Sequence, residues 1–309
     1  MSVNLNKTAS KGHEQMLISQ EQQAKINEVR SLIGPLSDKA SVYCSDASIS
    51  RYLSSRNWNV KKAAQMLKLS LKWREEYKPE EIRWEDVADE ANTGKMYRSN
   101  YNDKLGRTVL VIRPRYQLNT KTTQGQVKFF VYCMENAILN LPPHQEEIVW
   151  LIDFKGFSLS NISLKLTRET AHVLQQYYPG RLGLAVMYNA PMLFQPFFTM
   201  VKPLLETTIH NKLKFGYSGD RDTKKMMQDL FDMDKLEAAF GGKYETVFDV
   251  NKYAERMKEE DMKTLSFWTP SNTLSSVPAQ NITSLDSIKL NADSDSSNKE
   301  KIECSLVTN

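Results

Sequence analysis

Cysteine is scarce in this chain: Cys44, Cys133 and Cys304 are the three among 309 residues, far apart and without C-x-x-C spacing. That pattern signals neither a disulfide framework nor a zinc site. The four histidines, His13, His144, His172 and His210, are equally scattered, so no metal is expected. An excess of one charge is missing too, since 41 Lys and Arg face 37 Asp and Glu, for a formal net charge of +4. Without a block of like charge, nucleic acid is not indicated as a partner, and weak attraction to an anionic membrane surface is merely permitted. No apolar run reaches the roughly 18–20 residues that a bilayer requires. The first residues, MSVNLNKTASKGH, are polar and lack the apolar stretch of a secretory signal, so a cytoplasmic protein is expected.

Catalytic equipment is equally thin. Gly216-Tyr217-Ser218-Gly219-Asp220 comes near the nucleophile elbow G-x-S-x-G, but its last position is Asp. The missing glycine removes the tight turn that would expose Ser218, and a serine hydrolase is the weakest of the alternatives. Lys243 follows Gly241-Gly242 without the earlier glycine or the Ser/Thr of a phosphate-binding loop. No H-E-x-x-H, G-x-G-x-x-G or kinase set occurs. The chain is therefore expected to be neither an enzyme nor the holder of a cofactor.

What is present is the composition of a globular protein, 40% hydrophobic and 25% charged. Residues 1–13 read as a flexible start and 14–80 as a helical subdomain. Within it, 14–33 is helical and stopped by Gly34-Pro35, 46–56 is a short helix, and Asn59 caps a stronger one. In that helix Val60, Ala63, Ala64, Leu67 and Leu71 fall on one face with Lys61, Lys62, Lys68 and Lys72 opposite. From 81 to 250 strand and helix signals alternate: strands at 107–113, 148–154, 184–188 and 212–215, helices at 124–140, 163–177, 222–231 and 234–239. This order argues for a largely parallel sheet covered by helices. The remainder, 251–309, reads as an extension. After about residue 261 it is rich in Ser, Thr, Asn and Asp and is expected to be disordered.

The stretch from 192 to 205 stands out. Its apolar residues, among them Met192, Phe194, Phe197, Phe198, Met200, Val201 and Leu204, spread round nearly the whole circumference of a helix. Such a helix wants apolar material on more than one side. It is a core helix, or a lid with one face on the protein and another on something greasy. Cations are candidates for an anion contact: Arg56, Arg181, Lys212 and Lys214, the last two sharing one face if both lie on a strand. Gly183, Gly241 and Gly242 are hinge candidates, each with an ordinary turn as the plainer reading.

Taken together, Arg51-Tyr52-Leu53, Arg56-x-Trp58-Asn59, Lys72-Trp73-Arg74, Gly106-Arg107, Asp153-Phe154-Lys155-Gly156, Tyr177-Tyr178-Pro179-x-Arg181, Asn189-Ala190-Pro191, Lys202-Pro203-Leu204-Leu205, Lys212 and Phe240-Gly241-Gly242-Lys243 resemble the CRAL-TRIO lipid-binding family in order and spacing. The likeness runs from about Asp46 to Lys243 and leans to the phosphatidylinositol/phosphatidylcholine transfer branch. It implies an α/β fold, with an N-terminal helical subdomain followed by a largely parallel β-sheet domain around an apolar lipid pocket. It implies that 192–205 belongs to a mobile gate, and that Arg56 and Lys212 help to hold an inositol phosphate headgroup. Where the family carries a headgroup-binding glutamate this chain has Gly180, and Ile148 and Trp150 replace hydroxylated residues used around phosphatidylcholine. A lipid ligand, a transient membrane surface and a monomer are the implied partners and state, with the C-terminal tail as a place for protein partners. The function implied is transfer of a lipid between membranes, or its presentation there, by a protein peripherally associated with them. A lipid-sensing adaptor that transfers nothing is the alternative.

Overall fold

The computed structural model describes residues 19–117, 122–245 and 247–268. The expectations for residues 1–13 and for the tail beyond 268 fall outside them. The helical subdomain begins with α1 (Gln20–Ile33), where the Ser19 and Gln22 side chains cap each other's backbone N–H groups. Gly34, at φ +80°, ends it. After α2 (Asp38–Tyr43) and α3 (Asp46–Ser55) comes α4 (Val60–Tyr77), opened by the Asn59 side chain accepting from Lys62 N at 3.0 Å. Ile26, Val29, Ile49, Leu53 and Leu67 are wholly buried between these helices. Each contributes ~1.5–3 kcal/mol relative to exposure, which makes this a core of its own.

The second part starts with α5 (Trp84–Ala91) and a five-stranded sheet in the order β1 (Met96–Asn102), β2 (Thr108–Ile112), β3 (Ile148–Asp153), β4 (Leu182–Tyr188), β5 (Leu213–Gly216). β1 runs antiparallel to β2, and the other neighbours are parallel. Parallel neighbours need crossovers. These are α6 (Thr123–Leu139), α7 (Leu164–Tyr177) and the 192–205 stretch, which includes α8 (Gln195–Val201) and leads into α9 (Thr207–His210).

Register divides the sheet's side chains between two faces. One carries the rows Leu110–Trp150–Ala185–Leu213 and Ile112–Ile152–Met187–Phe215; the other carries Val111–Leu151–Val186–Lys214. Apart from Lys214, that second row is wholly buried. α10 (Arg221–Leu230) follows β5 and contributes Met227 to the main core.

The sequence reading did not place α2, α5 or β1, and two segments that it did assign come out differently. Residues 234–239 do not form a helix, because their backbone groups are engaged by a loop that folds back. Tyr244 N donates to Leu236 O at 3.0 Å and Ala238 N to Tyr244 O at 2.9 Å. Only Ala238–Phe240 makes a single 3-10 turn. The chain also does not lose structure at 261: α11 (Val250–Trp268) continues through it. Tyr253 and Met257 join the main core, and the Asp261 carboxylate accepts from Trp84 N at 2.7 Å and from the Tyr132 hydroxyl at 3.0 Å. This helix is part of the domain, not an extension of it.

Candidate functional site

On the α6–α7 side of the sheet lies a cavity of about 270 Å³. Its floor is Ile112, Ile152 and Met187, its walls include Phe130 of α6 and Leu166 of α7, and Phe194 and Phe197 cover it. A second chamber of about 150 Å³ shares Trp150, Ile152 and Met187 with the first and continues under Phe198, Val201 and Leu205. A larger groove of about 620 Å³ runs between α2, α4 and the end of α11, but charged side chains such as Lys39, Lys72, Glu75 and Glu81 line it. Chemistry, not size, marks the apolar cavity as the candidate, because ligand pockets are mostly apolar with few polar groups.

The cover is a broken helix. Met192–Phe194 and Lys202–Leu204 are 3-10 turns flanking α8, with Pro196 and Pro203 at their permitted early positions. The all-round apolarity now divides into two sides. Phe194 and Val201 are buried and Phe197 and Phe198 half-buried, while Met192 is 86% exposed, Met200 54% and Leu193 44%. Phe194 lies 4.6 Å from Phe154 and 5.8 Å from Phe197 between ring centres, and Phe198 lies 5.3 Å from Phe215. Leu204, half-buried, gives its carbonyl to the Gln175 side chain at 3.1 Å. The same Gln175 accepts from Glu206 N, and Glu206 pairs with Arg56 at 3.2 Å. Two elements thus hold the far end of the cover.

None of the four cations singled out in the sequence lines either chamber. Arg56 is taken up by Glu206 at the start of α9. Beyond that helix, Lys212 donates to Leu182 O at 2.5 Å and faces Glu147 at 3.3 Å. Arg181 binds Glu146 at 2.7 Å and shares that carboxylate with Arg51. Burial, then the neighbouring Arg51 charge, pulls the Arg181 guanidinium down to about 10. Lys214 projects from the opposite sheet face, exposed. Arg181 and Lys212 are therefore brought to consecutive glutamates at the entry of β3, and Lys214 is not with them.

Gly180, at φ +72°, leaves its side-chain position against the Arg51 stem, 3.4 Å from Cγ. The three hinge candidates each have a packing reason. Gly183 is the bulge residue of β4, since Ile148 pairs with Leu182 and Val149 with Leu184. Any Cβ there would overlap Glu147. Gly241 sits at φ +84° beside the Tyr188 hydroxyl, and a Cβ on Gly242 would overlap the Leu236 carbonyl.

Two cations that the sequence reading missed do line the larger chamber. Lys95 is buried, donates to Glu90 at 2.5 Å, and burial lowers its pKa. Arg113 donates to Gly94 O at 2.9 and 2.6 Å, with its guanidinium 4.9 Å from the Tyr97 ring and 5.1 Å from that of Phe248. The one available signal for Arg113 was its place directly after the β2 run Val109–Ile112. Ser218 sits in an exposed turn, its N–H donated to Asn189 Oδ1 at 2.7 Å. Among the described residues no helix is long and apolar enough to cross a membrane, and no group of three or more potential ligands could hold a metal.

Residues 91–242 match the CRAL/TRIO domain family. A CRAL-TRIO domain-containing protein of Schizosaccharomyces pombe is 33% identical over 68% of this chain, which covers 20% of that relative. Phosphatidylinositol transfer protein PDR17 of Saccharomyces cerevisiae is 30% identical over 59% of this chain and 55% of its own length. The chain thus spans a fifth to about half of these relatives. The crystal structure of Sfh5 shares the fold, with a TM-score of 0.59 at 16% identity, over 80% of this chain and 93% of that one. The matched segment, which holds the sheet, α6, α7 and the cover over the cavity, is a CRAL-TRIO domain.

Proposed function

We propose that this protein binds a lipid in the apolar cavity and carries it between membranes, or presents it there, with 192–205 as the moving gate. The observation that carries this reading is the cover itself: one strip of helix with aromatics turned to the cavity and Met192, Leu193 and Met200 turned to solvent. A segment apolar on both sides suits a water-exposed closed state poorly and a membrane-bound open state well. The ligand is a phospholipid or another hydrophobic molecule, and the name of the PDR17 relative makes phosphatidylinositol a candidate.

Burial sets the energetics. Two acyl chains of about sixteen carbons are worth ~25 kcal/mol removed from water, at ~0.8 kcal/mol per CH₂. Escape through solvent is then very slow, so loading and unloading need an open gate at a membrane. At about 270 Å³ the cavity lies just below the ~300–1,000 Å³ of ligand pockets. A two-chain lipid therefore requires the gate to move outward. The gate's far end is released by breaking the Gln175 contacts and the Arg56–Glu206 pair. The protein works as a monomer in the cytoplasm that visits the membrane surface transiently.

The direct test is transfer of a fluorescent phospholipid between vesicles. Replacing Phe197 and Phe198 with Asp is expected to bring transfer down to the protein-free rate while circular dichroism stays native. Transfer at the original rate would remove the gate from the account.

A further inference from the structure

Parallel strands joined by crossovers send the loops that follow them to one edge of the sheet. After β2 comes the 3-10 turn Pro114–Tyr116, after β3 the segment 154–163 with its own turn Leu159–Asn161, and after β4 the cover. The edge leaves apolar side chains in water. Leu159 is 62% exposed at the tip of its loop, beside a cover whose Met192 is 86% exposed. That loop is braced on both sides. Asn161, buried, accepts from Ser158 N at 2.7 Å and donates to Arg115 O at 3.4 Å, which ties the two turns together. Arg115 pairs with Asp153 and donates to Lys155 O at 3.1 Å. Phe157 meets Phe154 at 5.2 Å and Phe194 of the cover at 5.7 Å between ring centres.

Charge at this edge has one sign. In 113–117 and 154–163 the charged residues are Arg113, Arg115 and Lys155. The carboxylate that precedes the second loop, Asp153, is buried and taken by Arg115. Lys155 stands exposed with no acidic residue in its own loop, and a lysine so placed is drawn to an anionic lipid surface. The same loops form the rim of the larger chamber. Arg113, Pro114 and Gln117 line it from the first, and Phe157, Asn161 and Ile162 from the second. An apolar tip, a basic flank and the end of an apolar cavity therefore coincide, which is the combination that suits a bilayer surface.

We propose that this edge is a stationary membrane seat beside the moving cover: Leu159 enters the boundary of an anionic bilayer, Lys155 lies against its phosphates, and the rim of the larger chamber is set on the lipid. The inference rests on the carrier reading and adds a second contact to it. A cover that swings open changes its own membrane contact as it moves, whereas the loops after β2 and β3 stay anchored to the sheet. They keep the mouth of the chamber on the membrane throughout.

The test is flotation of the full chain with vesicles of phosphatidylcholine, alone or mixed with roughly 30% phosphatidylserine. Leu159→Asp is expected to weaken binding to the mixed vesicles by ~10-fold, while Leu159→Phe keeps it. Lys155→Gln is expected to weaken binding to the mixed vesicles by ~5-fold and to leave binding to phosphatidylcholine within about twofold. Leu105 serves as the control, being 67% exposed in the β1–β2 turn at the opposite edge of the sheet. Leu105→Asp is expected to stay within about twofold of wild type. Lipid extracted from Leu159→Asp is expected to match that from wild type, since Leu159 lines neither chamber.

Binding of Leu159→Asp within about twofold of wild type, or an equal loss in Leu105→Asp, would overturn the seat and leave the carrier reading standing. Wild-type protein that binds neither vesicle would overturn the seat as well, and if that protein also yields no lipid on extraction, the carrier reading falls with it. Should Leu159→Asp fail to fold, an environment-sensitive fluorophore on Leu159→Cys in a Cys304→Ser chain decides, because Cys44 and Cys133 are buried. Its emission is expected to shift to the blue on the mixed vesicles, and unshifted emission would overturn the seat.

Discussion

At the scale of single residues, the joint between the helical subdomain and the sheet domain rests on a buried ion pair. Arg74 of α4 grips Glu135 of α6 with two bonds, at 2.8 and 3.0 Å, and the Tyr178 hydroxyl donates to the same carboxylate at 2.7 Å. Burial pushes the Glu135 carboxyl up, but the Arg74 charge and the hydrogen bonds from Arg74 and Tyr178 hold it below its ordinary value of 4.5. A carboxyl depressed in the fold contributes stability above its unfolded pKa and loses it as pH falls through the folded one. Urea midpoints are therefore expected to fall as pH drops below about 4.5, and Glu135→Gln is expected to flatten that dependence. At neutral pH the same substitution leaves Arg74 buried without its main partner and should cost ~3–5 kcal/mol. A loss under about 1 kcal/mol would mean that Glu80, 3.3 Å from Arg74, compensates it.

Residue roles were also the least legible part of the sequence. Arg56 and Glu206 stand 150 positions apart, Arg181 and Glu146 35, Lys212 and Glu147 65. No local pattern announces that each cation has a carboxylate waiting. Lys95 and Arg113 were hidden for a related reason: one is buried beside Glu90 and the other caged by aromatic rings.

At the scale of elements, the sequence was more explicit. The runs that became β2, β3 and β4 are continuous apolar segments of the kind that strands buried on both faces show. The 192–205 cover was visible as a helix with apolar residues round nearly its whole circumference, although which side faces the cavity was not. That assignment carries a prediction. Replacing the outward Met192 and Met200 with Ser is expected to lower flotation with anionic vesicles and to slow transfer. Stability is expected to change by less than about 0.5 kcal/mol, since both side chains are already in water. Unaltered flotation would take the membrane contact away from this face.

The end of the domain was misread because α11 looks solvated. Its sequence, VNKYAERMKEEDMKTLSFW, carries Glu260 and Asp261, which polarity alone assigns to water. Both are buried: Glu260 faces Arg98 at 3.3 Å and accepts from Asn140 at 2.8 Å, while Asp261 serves Trp84 N and Tyr132. Met257 is wholly buried, so Met257→Ala is expected to cost ~2–5 kcal/mol in chemical denaturation. A loss within about 0.5 kcal/mol would return the helix to the status of an appendage.

For the molecule as a whole, two cores are joined by the Arg74–Glu135 pair and by stacking of Trp73 on Tyr177, with ring centres 4.2 Å apart. Against that frame the sheet offers one face to the buried core around Met227, Phe231 and Phe240 and leaves the other partly empty beneath the 192–205 cover. Cavities of this size lined by apolar groups forgo packing that a filled core would gain, at ~24 cal/mol per Å³. A bound molecule restores that packing. The ligand is thus expected to raise the unfolding temperature, by an amount that grows with its concentration over Kd.

The most direct measurement is solvent extraction of the protein purified without detergent, followed by mass spectrometry and a count of lipid per chain. The account predicts one stoichiometric lipid species or a narrow class, lost together with transfer activity when Phe197 and Phe198 become Asp. Protein that is folded and free of any extractable lipid, and that gains no thermal stability when incubated with phospholipid vesicles, would contradict it.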